Sequence, residues 1–349
     1  MNVKIVRNFL WFSTLFVFLF AYFSPQEIPV IQTSTNVYLK NKPEKVILGG
    51  NAVGFEYQGD GVLVLSNNRL ATMEGYVGNL TSQQLAEGDI ILKINAQKVS
   101  SAEDVSNIIN SKENAGKEVE LDVIRANKEL KIKIVPMFDL FANKYKLGVW
   151  IKDSVSGIGT LTYVCPDTKK YAALGHPIMS GNGGILGVKT GKVYNCNIIG
   201  IARGSKGVPG ELRGVISKGN ALGTVESNTD FGIYGEIQND KFLNNSHLID
   251  VGGRKTVKPG KAKIYSSIDG EGIKAYDIQI IKTNYQSVSD EKSLVFKVTD
   301  KELLSKTGGI LQGMSGSPIV QNNKLVGAVT HVFLNDSTKG FGLYIDWMM

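Results

Sequence analysis

Gly308-Gly-Ile-Leu-Gln-Gly-Met-Ser-Gly-Ser-Pro-Ile-Val-Gln-Asn-Asn-Lys-Leu-Val-Gly-Ala-Val-Thr-His331 is the stretch on which the reading of the whole chain turns. Within it Ser315 sits in Gly313 to Pro318, a turn too rich in glycine and proline to continue a helix or a strand. Two apolar runs follow, Ile319-Val320 and Leu325 to Val329, and Gln321-Asn-Asn-Lys324 between them reads as a hairpin turn. A hydroxyl held at such a turn can be presented to a cleft. The N–H groups of Gly313 and Ser315 can converge beside it, which is what stabilising an oxyanion requires.

A serine hydroxyl is a weak nucleophile at its own pKa and needs a neighbouring base. The chain has three histidines, His176, His247 and His331. His247 lies in the polar stretch Asn244-Asn-Ser-His-Leu248 and reads as a surface residue. His331 closes the strand after the hairpin, as a core or edge histidine near the cleft. His176 is flanked by Gly175 and Pro177, which hold it extended at a strand end. It precedes Ser315 by more than a hundred residues, so base and nucleophile fall on different halves of the C-terminal region. This order, with Gly-x-Ser-Gly-x-Pro followed by strand and turn, resembles the trypsin-like serine peptidases. The acid that would orient the base is left open between Asp230, in Ser227-Asn-Thr-Asp-Phe231, and Asp300, in Val298-Thr-Asp-Lys-Glu-Leu-Leu304. Read locally, Asp300 also suits a helix N-terminus, where capping and the dipole favour a carboxylate.

Working outward, 349 residues allow two ordinary domains, or one domain and a module. Glycine is abundant, at 39 residues, among short runs of valine, isoleucine and threonine, which favours many strands joined by tight turns. The charge of +7 is spread without a dense basic block or an aromatic-interleaved stripe. That argues against nucleic acid as a partner and fits a chain held beside an anionic membrane. Cys165 and Cys196 lack the spacing of a metal or redox site, and a single bridge between them is an open alternative to two buried thiols. Neither cysteines nor histidines have ligand spacing, so neither metal nor cofactor is expected.

The expected architecture is mostly β, in four parts. Residues 1–24 form a signal anchor or transmembrane helix. Lys4 and Arg7 precede the apolar run Phe9 to Phe23, and no small-residue cleavage site follows it. Residues 25–48 read as a linker. Residues 49–138 resemble a PDZ domain through Gly88-Asp-Ile-Ile-Leu-Lys-Ile-Asn95, the capping-box helix opened by Ser101-Ala-Glu-Asp104, and the closing hairpin around Ala126-Asn127. In that resemblance Ala52, Val53, Gly54 and Phe55 stand at the carboxylate-binding loop, whose N–H groups would take a peptide terminus. Residues 145–349, dense in short strands and glycine turns, fit a trypsin-like double β-barrel.

Taken together, the N-terminal span, PDZ module and peptidase segment resemble the stage IV sporulation protein B family, membrane-tethered serine peptidases of endospore-forming bacteria. The matching stretches are Gly157-Ile-Gly-Thr160, Tyr171-Ala-Ala-Leu-Gly-His176, Val208-Pro-Gly-Glu211, and Lys297 through Asp336. Pro177 departs from the pattern, standing where the family is expected to carry a β-branched residue. The resemblance implies Ser315 as nucleophile, His176 as base and Asp300 as acid. It further implies self-cleavage, PDZ-mediated self-association, and action between the forespore and mother-cell membranes. The implied substrate is the extracytoplasmic part of a partner in the membrane-embedded complex that processes a sigma-factor precursor. Rival readings are a general envelope quality-control protease, and a PDZ-based membrane scaffold with an inactive peptidase fold.

Overall fold

The computed structural model describes residues 42–77, 85–180, 184–204, 207–239, 243 and 247–349. The expected anchor over residues 1–24 lies outside the described residues, as does most of the expected linker. No helix among the described residues is long and apolar enough to cross a membrane.

The chain opens with β1 (Lys45–Leu48) and the long strand β2 (Ala52–Asn67). A hairpin of β3 (Leu70–Thr72) and β4 (Gly75–Val77) precedes β5 (Ile90–Ile94), β6 (Gln97–Lys98) and helix α1 (Ala102–Ile109). Next come β7 (Val119–Arg125), β8 (Lys128–Ile134), and the hairpin β9 (Met137–Asp139) with β10 (Lys144–Lys146). The second long strand, β11 (Val149–Val164), is followed by β12 (Lys170–Ala173), β13 (Thr190–Ala202), β14 (Glu211–Val225), β15 (Ser227–Thr229) and β16 (Gly232–Glu236). Then come β17 (Leu248–Val251), β18 (Gly260–Ser266), β19 (Lys274–Thr283) and β20 (Leu294–Val298), and helix α2 (Lys301–Thr307). The chain ends with β21 (Pro318–Gln321), β22 (Lys324–Phe333) and β23 (Asp336–Tyr344).

Strand pairing closes two barrels. In the first, β2 pairs with β11, β11 with β12, and β12 with β16. A bridge between Gly223 and Ile237 joins the end of β16 to β14, which pairs with β13, and β13 returns to β2. Its interior is filled by Val53, Phe55, Tyr57, Leu161, Tyr171, Val193 and Ile233, each at most 2% exposed. In the second, the circuit runs β18, β19, β20, β23, β22, β21 and back to β18. Ile264, Ile278, Phe296, Ile319 and Val329 fill it. Between the barrels, β17 pairs antiparallel with β1 and parallel with β22, and a shared layer of Val46, Tyr163, Ile249, Leu325 and Met348 joins the two cores. The double barrel follows from period-2 alternation with tight turns: closure removes edge strands that would otherwise pair with other chains. Asn322 and Asn323 both take left-handed φ in the β21–β22 turn, as the two-residue hairpin needs.

A separate apolar core marks the PDZ-like module, with Val62, Ile91, Ile94, Val105, Ile109 and Leu121 at its centre. Ser101 and Asp104 form the expected capping box at the start of α1. Asp89, fully buried, accepts a bidentate pair from Arg125 on β7, which accounts for an acidic residue inside an otherwise apolar strand entry.

The boundaries expected from sequence need correction here. Ala52, Val53, Gly54 and Phe55 do not form a carboxylate-binding loop. They lie within β2, opposite Thr160 to Gly157 of β11 on one side, and Val53 to Phe55 also face Asn195 to Val193 of β13 on the other. Backbone groups consumed by two neighbouring strands have nothing left for a peptide terminus. The module is instead threaded into the first barrel. The front half of β2 builds barrel, its back half builds the module, and β11 does the reverse. Val149 and Ile151 of β11 pack against the module's core.

Candidate active site

The turn carrying Ser315 is held by a complete set of carbonyl partners. Gln312 accepts from the Leu212 N–H at 2.9 Å and Met314 from the Ser317 N–H at 3.0 Å. Gly313 accepts from the Thr160 hydroxyl at 2.9 Å, Ser315 from the Thr160 N–H at 2.9 Å, and Gly316 from the Thr162 hydroxyl at 2.8 Å. In contrast, neither the Gly313 nor the Ser315 N–H donates to another described residue. A peptide is planar and trans, so fixing the carbonyls of Gln312 and Met314 fixes the opposite directions of those two N–H groups. The result is a pair of oriented donors with no acceptor, the arrangement that stabilises a developing oxyanion. Gly313 (φ 95°) and Gly316 (φ 91°) supply the left-handed φ values the turn needs.

The arm carrying His176 comes from the first barrel. Leu174 and Gly175, both at φ 70°, turn the chain sharply out of β12. A Cβ at Gly175 would lie 3.3 Å from both the Val329 carbonyl and the Thr330 methyl, so this arm rests directly on the end of β22. Ser315 reaches the same place from the second barrel, its hydroxyl donating to the Thr330 carbonyl at 2.9 Å. The His176 ring lies 5.0 Å, centre to centre, from that of His331. The His176 arm and Ser315, one from each barrel, therefore both reach the short stretch Val329 to His331. His176 Nδ1 lies 2.9 Å from the Pro177 carbonyl. A carbonyl can only accept, so Nδ1 carries the proton and Nε2 keeps the lone pair a base requires.

Neither candidate acid is brought to the imidazole. Asp300 caps α2, one oxygen accepting from the Leu303 N–H at 2.9 Å and the other from the Asp277 N–H at 3.2 Å. Asp230 is exposed in the turn between β15 and β16. Among the described residues, no hydrogen bond joins either carboxylate to His176. His247 is exposed, as expected.

Three residues around His176 and Ser315 escaped the sequence reading. Asn228 grips the segment after the histidine, accepting from the Ile178 N–H at 2.9 Å and donating to the Ile178 carbonyl at 2.7 Å. The signal was present, since Asn228 adjoins the weighed Asp230, but an amide holding backbone has no spacing rule. Thr160 and Thr162 are the others: two buried hydroxyls on one face of β11. His331 is pushed down to about 4 by burial, with the charges of His176 and Lys292 adding to the effect. Its Nδ1 is buried without a partner. It stays neutral at physiological pH.

Cys165 and Cys196 are free buried thiols, and burial raises both pKa values, Cys165 to about 11. Neither is a nucleophile at neutral pH. No group of His, Cys, Asp and Glu among the described residues is arranged to hold a metal ion. A polar cavity of about 360 Å³, lined by Asn51, Asn195, Asn197 and Asn220 among others, includes neither His176 nor Ser315.

Residues 143–349, more than half of the chain, match the family model described as SpoIVB peptidase S55. Residues 53–135 match a PDZ domain model, whose first matched residues are the ones that β2 places in the barrel. Among solved structures, the chain is similar to the PDZ domain of an SdrC-like protein from Listeria monocytogenes. The identity there is 22%, over 27% of this chain and 90% of that one, with a TM-score of 0.22. It is also similar to a protease from M. tuberculosis in its active form, at 11% identity over 56% and 71% of the two chains and a TM-score of 0.31. For the inactive form of that protease the values are 15%, 54%, 79% and 0.33. No curated protein matches.

Proposed function

The chain belongs to the SpoIVB peptidase S55 family and is a serine peptidase, and on that premise we propose that Ser315 and His176 form its catalytic dyad. The observation that carries this reading is the turn at Gly313 to Gly316, with its carbonyls bound and two N–H groups left over, resting on the same strand end as His176. Ser315 Oγ attacks the substrate carbonyl carbon while His176 Nε2 takes its proton. The carbonyl oxygen gathers negative charge against the N–H groups of Gly313 and Ser315. As the C–N bond breaks, His176 returns the proton to the leaving amine. Water then attacks the acyl group, giving its proton to His176, and the hydroxyl of Ser315 is restored. The Pro177 carbonyl holds the imidazole tautomer, a task that the Asp300 carboxylate would share only after a rearrangement of α2. Ser315 itself must turn about its Cα–Cβ bond, away from Thr330 and toward His176, before each cycle.

The proposed setting follows the family: a membrane-anchored, extracytoplasmic enzyme of spore formation, between the forespore and mother-cell membranes. It would cleave itself and the outer part of a partner in the sigma-factor-processing complex. Partner docking by strand addition belongs on the edge of β11 over Val149 to Ser156, which pairs with β2 on one side and with no described strand on the other. One observation favours a different reading, a PDZ scaffold with a dormant peptidase: the Ser315 hydroxyl donates to Thr330 and not to His176. N-terminal mass spectrometry on the full chain in lipid vesicles separates them. Self-cleavage that disappears in Ser315→Ala and His176→Ala supports the peptidase; identical fragments, or none, in all three forms support the scaffold.

A further inference from the structure

Thr160 belongs to neither arm of the dyad, yet it touches both. It is 1% exposed, in β11, at the point where the first barrel meets the nucleophile turn. Its hydroxyl donates to the Gly313 carbonyl at 2.9 Å and its N–H to the Ser315 carbonyl at 2.9 Å. Its own carbonyl accepts from the Leu174 N–H at 3.2 Å, two residues before His176. The three segments are stacked backbone to backbone. A Cβ on Gly316 would fall 2.1 Å from the Thr160 carbonyl oxygen and 2.4 Å from the Leu174 nitrogen. Packed this closely, one segment cannot shift without displacing the others.

We propose that Thr160 is a positioning residue that sets the oxyanion donors and the histidine arm in register, its hydroxyl being the group that holds the Gly313 peptide. The proposal rests on Ser315 being the nucleophile. Through the Gly313 carbonyl, the hydroxyl fixes the backbone between the two donor N–H groups. Without it the intervening peptide can rotate, and the two donor peptides, each then held only at its own carbonyl, lose their common aim at one oxygen. Because the donors act only on charge that develops in the transition state, the loss falls on the chemical step and not on binding. Thr162, whose hydroxyl holds the Gly316 carbonyl beyond the donors, is the natural comparison: it makes the same kind of bond one step outside the hole.

The test uses the full chain in lipid vesicles and an alkyl fluorophosphonate, which phosphonylates an activated serine with loss of fluoride and loads the oxyanion site. Saturation of the labelling rate gives a maximal rate constant and a half-saturating concentration. Thr160→Val, nearly isosteric but without a donor, is expected to lower the maximal rate at least ~10-fold, with half-saturation within about 2-fold, because lost oxyanion donors appear in the rate. Thr160→Ser keeps the donor and is expected to label within about 3-fold of the parent. Thr162→Val is expected to stay within about 3-fold as well. If Thr160→Val does not fold, Thr160→Cys, a weak donor of similar size, replaces it with the same expected loss. Parental labelling by the valine or cysteine variant, or a serine variant as slow as either, overturns the proposal. Labelling that persists in Ser315→Ala sinks the assignment of the nucleophile instead, so the two failures are distinguishable.

Discussion

At Asp300, helix cap and triad acid make different demands on the same side chain. A cap needs an acceptor oxygen, which asparagine also offers; an acid that stabilises an imidazolium needs the negative charge. The structure shows the cap, and α2 runs through Gly308 and Gly309 straight into the nucleophile turn. Asp300→Ala is therefore expected to cost about 1 kcal/mol of stability and to loosen the turn. Asp300→Asn is expected to keep most of the fluorophosphonate labelling. A loss of about ten-thousand-fold in the asparagine variant, the order seen when a triad acid is neutralised, would restore the carboxylate to the dyad. His331 makes a prediction about pH. Its folded pKa of about 4 lies below its ordinary value of 6.5. Between those values the unfolded chain binds a proton that the folded chain refuses, so stability falls as pH drops through this window. Thermal midpoints at pH 7 and pH 4.5 should separate further in the parent than in His331→Gln. Equal separations would remove His331 from the account.

Among the elements, the nucleophile turn is the one whose geometry can be broken by a single methyl group. Gly316 has φ 91°, and its Cβ position is occupied by the Thr160 and Leu174 backbones. Gly316→Ala should destabilise the fold by at least about 2 kcal/mol, from the backbone conformation and the overlap together, and should abolish labelling; denaturant melts beside the labelling assay check both. A variant that melts and labels like the parent would mean that the turn is looser than described. This turn was legible in the sequence because its chemistry is local: glycines at the bends, a hydroxyl between them, a hairpin after. The role of β2 was not. Ala52-Val-Gly-Phe55 alternates identically whether it opens a PDZ domain or lines a barrel, and its partners β11 and β13 are more than a hundred residues away in sequence. Register between distant strands is set by pairing, which no local pattern records. Thr160 was hidden for a similar reason, its donors being meaningful only beside a turn more than 150 residues downstream.

Across the whole molecule, two long strands do the joining. Because β2 and β11 pass from the module's core into the first barrel, and Thr160 on β11 holds the turn of the second, the three cores share one backbone framework. Sequence order alone suggested a module followed by a peptidase, since a chain read left to right cannot show that barrel strands flank an insertion. What the order did carry was the double barrel, with His176 on the first and Ser315 on the turn of the second. The account stands or falls on whether Ser315 is an activated hydroxyl served by His176. Peptide mapping by mass spectrometry after fluorophosphonate treatment of the full chain measures this directly. The prediction is one phosphonylated peptide, containing Ser315, that vanishes in Ser315→Ala and is strongly reduced in His176→Ala; an unlabelled parent, or labelling of Ser315 at full rate without His176, would contradict it.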